Sequence, residues 1–400
     1  MKHGKAIVLV TAALTVGIGA FGQQSTIKIG AITTLTGRLA EFGKQQKAGF
    51  ELAVREINGR GGINKQKIEL ILEDSASDVN KGLAAAEKLV NAGVGVVLNE
   101  YSSSIVKAQA QYLSRQKVPN IVVSSSDESI TKPGFDYVYR INPPTDEYAK
   151  ILFQIFEDVG IKSVAVLAGS GAFEKSVLNS AIEEGKARNI AIVTQQTYDR
   201  GLTDFRPILN GFKAKAPEAV MLVGYQEDSV AVMRQAKEIG LNPKLFAGGA
   251  AGFALPEFMT GAGDASEFVV TATAWVPEMK TPGNPKLYTG LITQLNGLEP
   301  TYHAAQAHSS VLVAAEAIKK AGSATDREAI NKALQTLDIQ TPYGRVKFEN
   351  YSGYKGQNRL GMVAQQVQRN ARGKLEFVPV YPKSLFNAKM LFPTPAWEKR

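Results

Sequence analysis

The sequence predicts an α/β protein of two lobes, each built on a mostly parallel sheet. Short apolar strands alternate with helix-patterned segments along most of the chain, the rhythm that puts helices on both faces of a parallel sheet. That rhythm restarts after Ile141-Asn142-Pro143-Pro144, a plausible crossing between lobes. At 400 residues the chain also exceeds what one ordinary core takes.

The elements follow in order. Residues 26–33 read as a first strand, and Thr34-Leu35-Thr36-Gly37 opens a loop carrying Phe42-Gly43 ahead of a helix. In that helix Phe50, Ala53, Val54 and Ile57 share a face, and Asn58-Gly59-Arg60-Gly61-Gly62 stops it. Strand 68–73, polar loop 74–80 and a helix striped by Leu83, Ala86 and Val90 come next. Strand 94–98 passes through Asn99-Glu100-Tyr101 into Ser102-Ser103-Ser104 and a helix with Ile105, Ala108 and Tyr112 on one face. Strand 118–123 then ends in Ser124-Ser125-Ser126.

Beyond the crossing, Ile151, Leu152, Ile155, Phe156 and Val159 form a helical face, 163–168 is a strand, and Gly169-Ser170-Gly171-Ala172-Phe173 is a loop. Strands 190–196, 219–223, 244–247 and 269–276 alternate with helices, and the Pro- and Gly-rich run 277–285 suits a second crossing. A long helix, 304–321, leads to Thr341-Pro342-Tyr343-Gly344, strand 345–348, a turn at Tyr351-Ser352-Gly353 and a last strand, 362–368. After Pro382 the tail has little pattern and receives no role.

Composition narrows the function. Net charge is +9 with a pI near 9.3. The basic residues are scattered, which argues against nucleic acid as a partner because that needs clustered phosphate contacts. Cysteine is absent, so thiol chemistry, Cys-metal sites and a lipidated N-terminal Cys are excluded. Residues 1–22 read as a signal peptide: Lys2 and Lys5 precede an apolar run shorter than a membrane span, and Ala20-Phe21-Gly22 offers a cleavage site before Gln23. Gly17-x-Gly19-x-x-Gly22 matches a dinucleotide fingerprint in letters only, since it precedes the first strand.

Two serine triplets at the ends of neighbouring strands point to a ligand site, because such strand ends share a crevice where hydroxyls and free helix amides bind a carboxylate. Each triplet alone suits a helix cap or turn. Tyr101 and Tyr225 each follow a strand and precede a helix, one in each half, and could face each other across a cleft. Catalytic sets are missing. His303 and His308 point about 140° apart on a helix and read as helix-surface or helix-end residues. There is no Gly-x-Ser-x-Gly elbow, and residues 169–176 end like a phosphate loop but carry Glu174 where glycine is required. No cofactor or metal is expected.

Ile29-Gly30-Ala31 with Leu35-Thr36-Gly37, the Glu56-Ile57-Asn58 to Gly61-Gly62-Ile63 turn, Val118-Pro119-Asn120-Ile121, Thr203-Asp204-Phe205 and Gly344-x-Val346-x-Phe348 resemble the periplasmic solute-binding proteins of ABC transporters, of the leucine/isoleucine/valine-binding type. The resemblance implies the type I periplasmic binding protein fold: two Rossmann-like lobes joined by a three-crossing hinge, closing on a small ligand for delivery to a membrane permease. It places lobe one at residues 23–142 and 278–343, lobe two at 143–277 and 344–385, and a tail at 386–400. It implies an exported, non-catalytic periplasmic receptor acting as a monomer; a ligand sensor of the same fold is the alternative.

The ligand residues carried over by resemblance are Ser102 and Ser126, with the backbone around Ser124, and the aromatics Phe42, Phe173 and Tyr225; Tyr101, Ser103, Gly249 and Ala250 complete the expected ligand set. In the amino-acid binders the loop after strand 244–247 supplies a carboxylate for the ligand's ammonium, but here it reads Gly248-Gly249-Ala250-Ala251-Gly252. A buried ammonium without a counter-charge costs several kcal/mol, so an amino acid would need Glu100, Glu227 or Asp228 to reach in. The small residues of this loop are expected to open space, and an aromatic or aliphatic carboxylic acid fits better than leucine.

Overall fold

The computed structural model describes Met1 and residues 26–400. Apart from Met1, the expected signal peptide lies outside the described residues. Lobe one begins with β1 (Ile27–Thr33), α1 (Ala40–Gly59), β2 (Ile68–Asp74), α2 (Val79–Asn91), β3 (Val97–Asn99), α3 (Ser103–Arg115), β4 (Asn120–Val122) and β5 (Val138–Arg140). Lobe two follows with α4 (Thr145–Asp158), β6 (Ser163–Gly169), α5 (Ala172–Ala187), β7 (Ala191–Tyr198), α6 (Arg206–Lys215), β8 (Ala219–Val223), α7 (Gln226–Glu238), β9 (Leu245–Gly248), α8 (Pro256–Ala262) and β10 (Val270–Thr273). The chain returns to lobe one through α9 (Asn284–Gln294), α10 (Tyr302–Ala321), α11 (Arg327–Gln335), β11 (Asp338–Gln340), β12 (Arg345–Tyr351) and β13 (Tyr354–Asn358), and ends in lobe two with β14 (Val363–Arg369) and β15 (Leu375–Tyr381).

The sheets run β11-β12-β13-β5-β4-β3-β1-β2 and β15-β14-β10-β9-β8-β6-β7. Central strands such as β1, β3 and β8 are buried almost throughout, as expected where helices cover both faces. The edge strand β7 is largely exposed.

One expected boundary is corrected. The resemblance puts residues 344–385 in lobe two, but β12 and β13 form a hairpin whose second strand pairs in parallel with β5 of lobe one. The third crossing therefore lies at 359–362, between β13 and β14, and not at 344. A short Gly-x-Val-x-Phe segment carries no signal for which sheet it will join, because both offer a free edge.

The crossings are tied together by buried amides. Gln306 Nε2 donates to Asn142 Oδ1 at 2.6 Å and to the Tyr343 hydroxyl at 2.9 Å, while Gln357 Nε2 donates to the Asn142 carbonyl at 2.9 Å. The long helix α10 is buried on nearly every side along its first three turns. It approaches α1 closely because Gly49 has no side chain: a Cβ there would lie 2.1 Å from the Ala304 carbonyl oxygen.

The tail, expected to have no role, is instead part of lobe two. Leu391 and Gln366 exchange two hydrogen bonds, the Thr394 amide donates to the Lys244 carbonyl, and Trp397 packs its ring 5.8 Å from Phe246 while donating to the Leu241 carbonyl. Its anchors are isolated aromatic and polar residues without periodicity, so pattern alone could not reveal them.

Candidate functional site

The site sits where the strand ends of both sheets meet. In lobe one, β3 leads into Glu100-Tyr101-Ser102, β4 into Ser124–Ser126, and β1 towards Phe42. In lobe two, β6 leads to Phe173, β8 to Tyr225 and β9 to Gly249 and Ala250. Phe42 and Phe173 both stand in the first turn of a helix, α1 and α5, not in the loops expected for them.

The aromatic residues converge across the lobes. Phe42 stacks on Tyr101 with centroids 4.5 Å apart, and Tyr225 meets Phe42 edge-on at 5.8 Å and Tyr101 at 6.4 Å. Phe173 lies 6.1 Å from Tyr225. Three further rings join that sequence reasoning missed or misplaced. His303 lies 5.1 Å from Phe42 and is buried, not on the helix surface, and Tyr148 lies 5.9 Å from Phe173. Tyr302 and His303 have ring centroids 3.9 Å apart, and the Tyr302 hydroxyl comes near the Ala251 backbone in the opposite lobe. The adjacent pair Tyr302-His303 at a helix start was the available signal. His308, also buried, points elsewhere and pairs with Glu56 at 3.2 Å.

The serines divide into two kinds. Ser103 Oγ accepts from the Ser125 hydroxyl at 2.9 Å and from the Asp127 amide at 3.2 Å, so it braces one strand end against the other. Ser102 stands buried at the N-terminus of α3 without a side-chain capping bond, at a helix end whose first amides have no intrahelical partner. Ser124 Oγ accepts from Gln46 Nε2 at 3.1 Å, and Ser126 is buried near Tyr148, whose hydroxyl bonds to Asn142.

The loop after β9 does not open space as expected. A Cβ at Gly248 would lie 2.4 Å from Phe253, one at Gly249 would lie 3.0 Å from Val223, and one at Gly252 would lie 2.3 Å from the Tyr225 backbone. Its small residues instead allow the loop to pack tightly beneath Tyr225. Ala250 holds φ 62° and ψ −144°, a region nearly reserved for glycine, and such strain is usually retained at functional positions. A groove of about 920 Å³ between the lobes, lined by Met259 and Trp275 on one side and Tyr288 and Glu299 on the other, reaches the ring cluster at Tyr302.

Residues 26–373 match the periplasmic binding protein family. The chain belongs to that family. It is a solute-binding protein of the leucine/isoleucine/valine-binding, type I class associated with ABC transporters. Among curated relatives, a leucine-, isoleucine-, valine-, threonine- and alanine-binding protein of Pseudomonas aeruginosa is 28% identical, covering 82% of this chain and 87% of its own. Among solved structures, a branched-chain amino acid transporter substrate-binding protein of Streptococcus pneumoniae in complex with isoleucine is 25% identical with TM-score 0.77, covering 89% of this chain and all of that one. A solute-binding protein of Rhodopseudomonas palustris in complex with 3,4-dihydroxybenzoic acid shares the fold at 24% identity and TM-score 0.76, covering 89% and 96%.

In this periplasmic binding protein the acids offered as ammonium partners fare differently. Glu227 is exposed. Asp228 accepts from the Tyr225 amide at 3.3 Å and lies close to Tyr198. Glu100 is fully buried, accepts from Thr34 Oγ1 at 2.8 Å, and is pushed up to about 7 by burial, so near neutrality it is only partly charged. Burial likewise drives His303 down to about 3, leaving a neutral ring among the aromatics.

Proposed function

We propose that this protein captures a small carboxylate-bearing solute lacking an essential ammonium, in the periplasm and as a monomer, and delivers it to an ABC permease without altering it. The carboxylate would be held by the hydroxyls of Ser102, Ser124 and Ser126 with the α3 amides, and the apolar body by Phe42, Tyr101, Phe173 and Tyr225. Gly249 and Ala250 would form the floor beneath Tyr225. The observation that carries this reading is the loop after β9. It offers no carboxylate between Gly248 and Leu255 and is packed too tightly against Tyr225, Val223 and Phe253 for another acid to be threaded through it. An amino acid's ammonium would there face apolar walls, at a cost of several kcal/mol.

Closure follows from ligand contacts made by both lobes, which stabilise the closed form relative to the open one. A thermal-shift panel on the chain lacking residues 1–22 tests the reading, with benzoate, 4-methylpentanoate, leucine and isoleucine as probes. A true ligand at about a thousand times its dissociation constant adds ~4 kcal/mol of stability. The two plain acids are expected to raise the melting temperature; a shift with leucine and isoleucine but with neither acid overturns the proposal.

A further inference from the structure

Two adjacent glutamines on α1, Gln45 and Gln46, are buried, and each bonds through both ends of its amide. Gln45 Nε2 donates to the Glu299 carbonyl at 3.1 Å and its Oε1 accepts from the Thr301 amide at 3.0 Å, so it fastens the loop ahead of α10 through backbone groups of fixed polarity. Gln46 differs because both of its partners are hydroxyls. Its Oε1 accepts from Thr33 Oγ1 at 2.7 Å and its Nε2 donates to Ser124 Oγ at 3.1 Å. A hydroxyl can donate or accept, so it takes the polarity its neighbour imposes.

The fold holds Gln46 in place. Gly43 lies one turn earlier on the same face of α1, and a Cβ there would fall 1.7 Å from the Thr34 carbonyl oxygen, so the glycine lets the helix rest on the end of β1 beside Thr33. Thr33 and Gln46 are wholly buried and Ser124 is 4% exposed, which shields both bonds from water. With Gln46 Nε2 donating to it, Ser124 cannot turn its own proton back towards the amide. That proton has no acceptor among the described residues, and a buried hydroxyl left this way is a donor that a guest can satisfy.

We propose that Gln46 is a positioning residue: it fixes Ser124 as a hydrogen-bond donor and so makes this pole of the site select an anionic oxygen. This rests on the proposed carboxylate-binding reading and adds to it the residue that sets the serine's polarity. Gln46 acts through Ser124 and not by touching the solute. Donation runs one way along the chain of groups, from Thr33 to Gln46 Oε1 and from Gln46 Nε2 to Ser124, and ends on the carboxylate. A carboxylate oxygen accepts the Ser124 proton in a charge-assisted bond, whereas a group that can only donate meets a proton there. Locking the serine in advance spares the solute the cost of orienting it.

Gln46→Glu reverses the polarity while keeping the shape. An ionised carboxylate only accepts, so it takes the Ser124 proton, whereas a protonated carboxyl accepts and donates as the amide does. Benzoate, 4-methylpentanoate and leucine, each carrying a carboxylate, are titrated calorimetrically into wild type, Gln46→Glu, Ser124→Ala and the double variant at pH 9 and pH 6. Gln46→Glu is expected to bind about tenfold or more weaker than wild type at pH 9, the effect of one charge-assisted hydrogen bond, and within about threefold of it at pH 6. In the Ser124→Ala background the same change should cost less than about threefold at either pH, because its route to the solute is gone. Gln46→Met, which buries no charge, should weaken binding by about threefold and likewise lose its effect beside Ser124→Ala. A loss that persists without Ser124, or wild-type affinity in both Gln46 variants, overturns the assignment. Leucine binding with neither plain acid overturns only the ammonium-free reading, since leucine's own carboxylate then carries the same comparisons. No binding of any probe overturns the carboxylate reading and this assignment together.

Discussion

The rings of Tyr101 and Tyr225, one from each lobe, lie edge to face with centroids 6.4 Å apart. Tyr101 is already fixed within lobe one, where it stacks on Phe42 and donates to the Leu39 carbonyl at 2.9 Å. Tyr225 is the partner that the proposed lobe closure would bring to it. Replacing Tyr225 by Ala is therefore expected to weaken binding of whichever acid the thermal panel identifies by about 2 kcal/mol or more, as for a buried aromatic at an interface centre. Small-angle scattering should show the ligand-induced compaction reduced to match. Unchanged affinity would remove Tyr225 from the site.

The serines separate stability from binding. Ser103→Ala removes two buried hydrogen bonds and should destabilise the unliganded protein by about 1 to 3 kcal/mol while the ligand-induced thermal shift persists. Ser102→Ala combined with Ser126→Ala should do the reverse, abolishing the shift and leaving the unliganded melting temperature nearly unchanged. The two variants are compared by melting with and without the acid, and the same response from both would contradict the division.

Glu100 sets the alkaline side of the stability profile. Its folded pKa of about 7 lies above the ordinary 4.5, so between those values the folded protein keeps a proton that the unfolded chain releases. Stability from this group is thus fully present below pH 4.5 and lost as pH rises to 7, by on the order of 3 kcal/mol. Urea unfolding should find Glu100→Gln more stable than wild type at pH 8, with the advantage gone at pH 4.5. Equal stability at pH 8 would count against the buried charge.

His303 acts in the opposite sense. Its folded pKa of about 3 lies below the ordinary 6.5, so the unfolded chain binds the extra proton and stability falls as pH drops from 6.5 towards 3. His303→Phe keeps a ring in the cluster and removes the titration. Acid unfolding of that variant should begin at lower pH than in wild type, and coincident acid curves would mean that His303 is not buried neutral.

Trp397 closes the core of lobe two from the end of the chain. It is 8% exposed, and Trp→Ala changes at such places cost about 3 to 5 kcal/mol. Trp397→Ala should lower the urea midpoint by a corresponding amount with ligand specificity unaffected. A shift within experimental error would leave the tail as a loose appendage.

What the sequence by itself determined is the two-lobed α/β plan, because alternating strand and helix periodicities are local and each element reports its own burial. It also placed Ser102, Ser126, Tyr101 and Tyr225 at the ends of strands, since position at a strand end is itself a local property. Only the tertiary structure decided what depends on contacts between distant segments. It assigned β12 and β13 to lobe one through pairing with β5, seated Trp397 on Phe246, brought Tyr302 and His303 into the ring cluster, and filled the space beneath Tyr225 with the glycine loop. It also left one side-chain atom each of Arg38 and Glu174 buried without a partner. The physical reason is common to all of these: burial and pairing of a side chain are set by its neighbours in space, and periodicity along the chain carries no record of them.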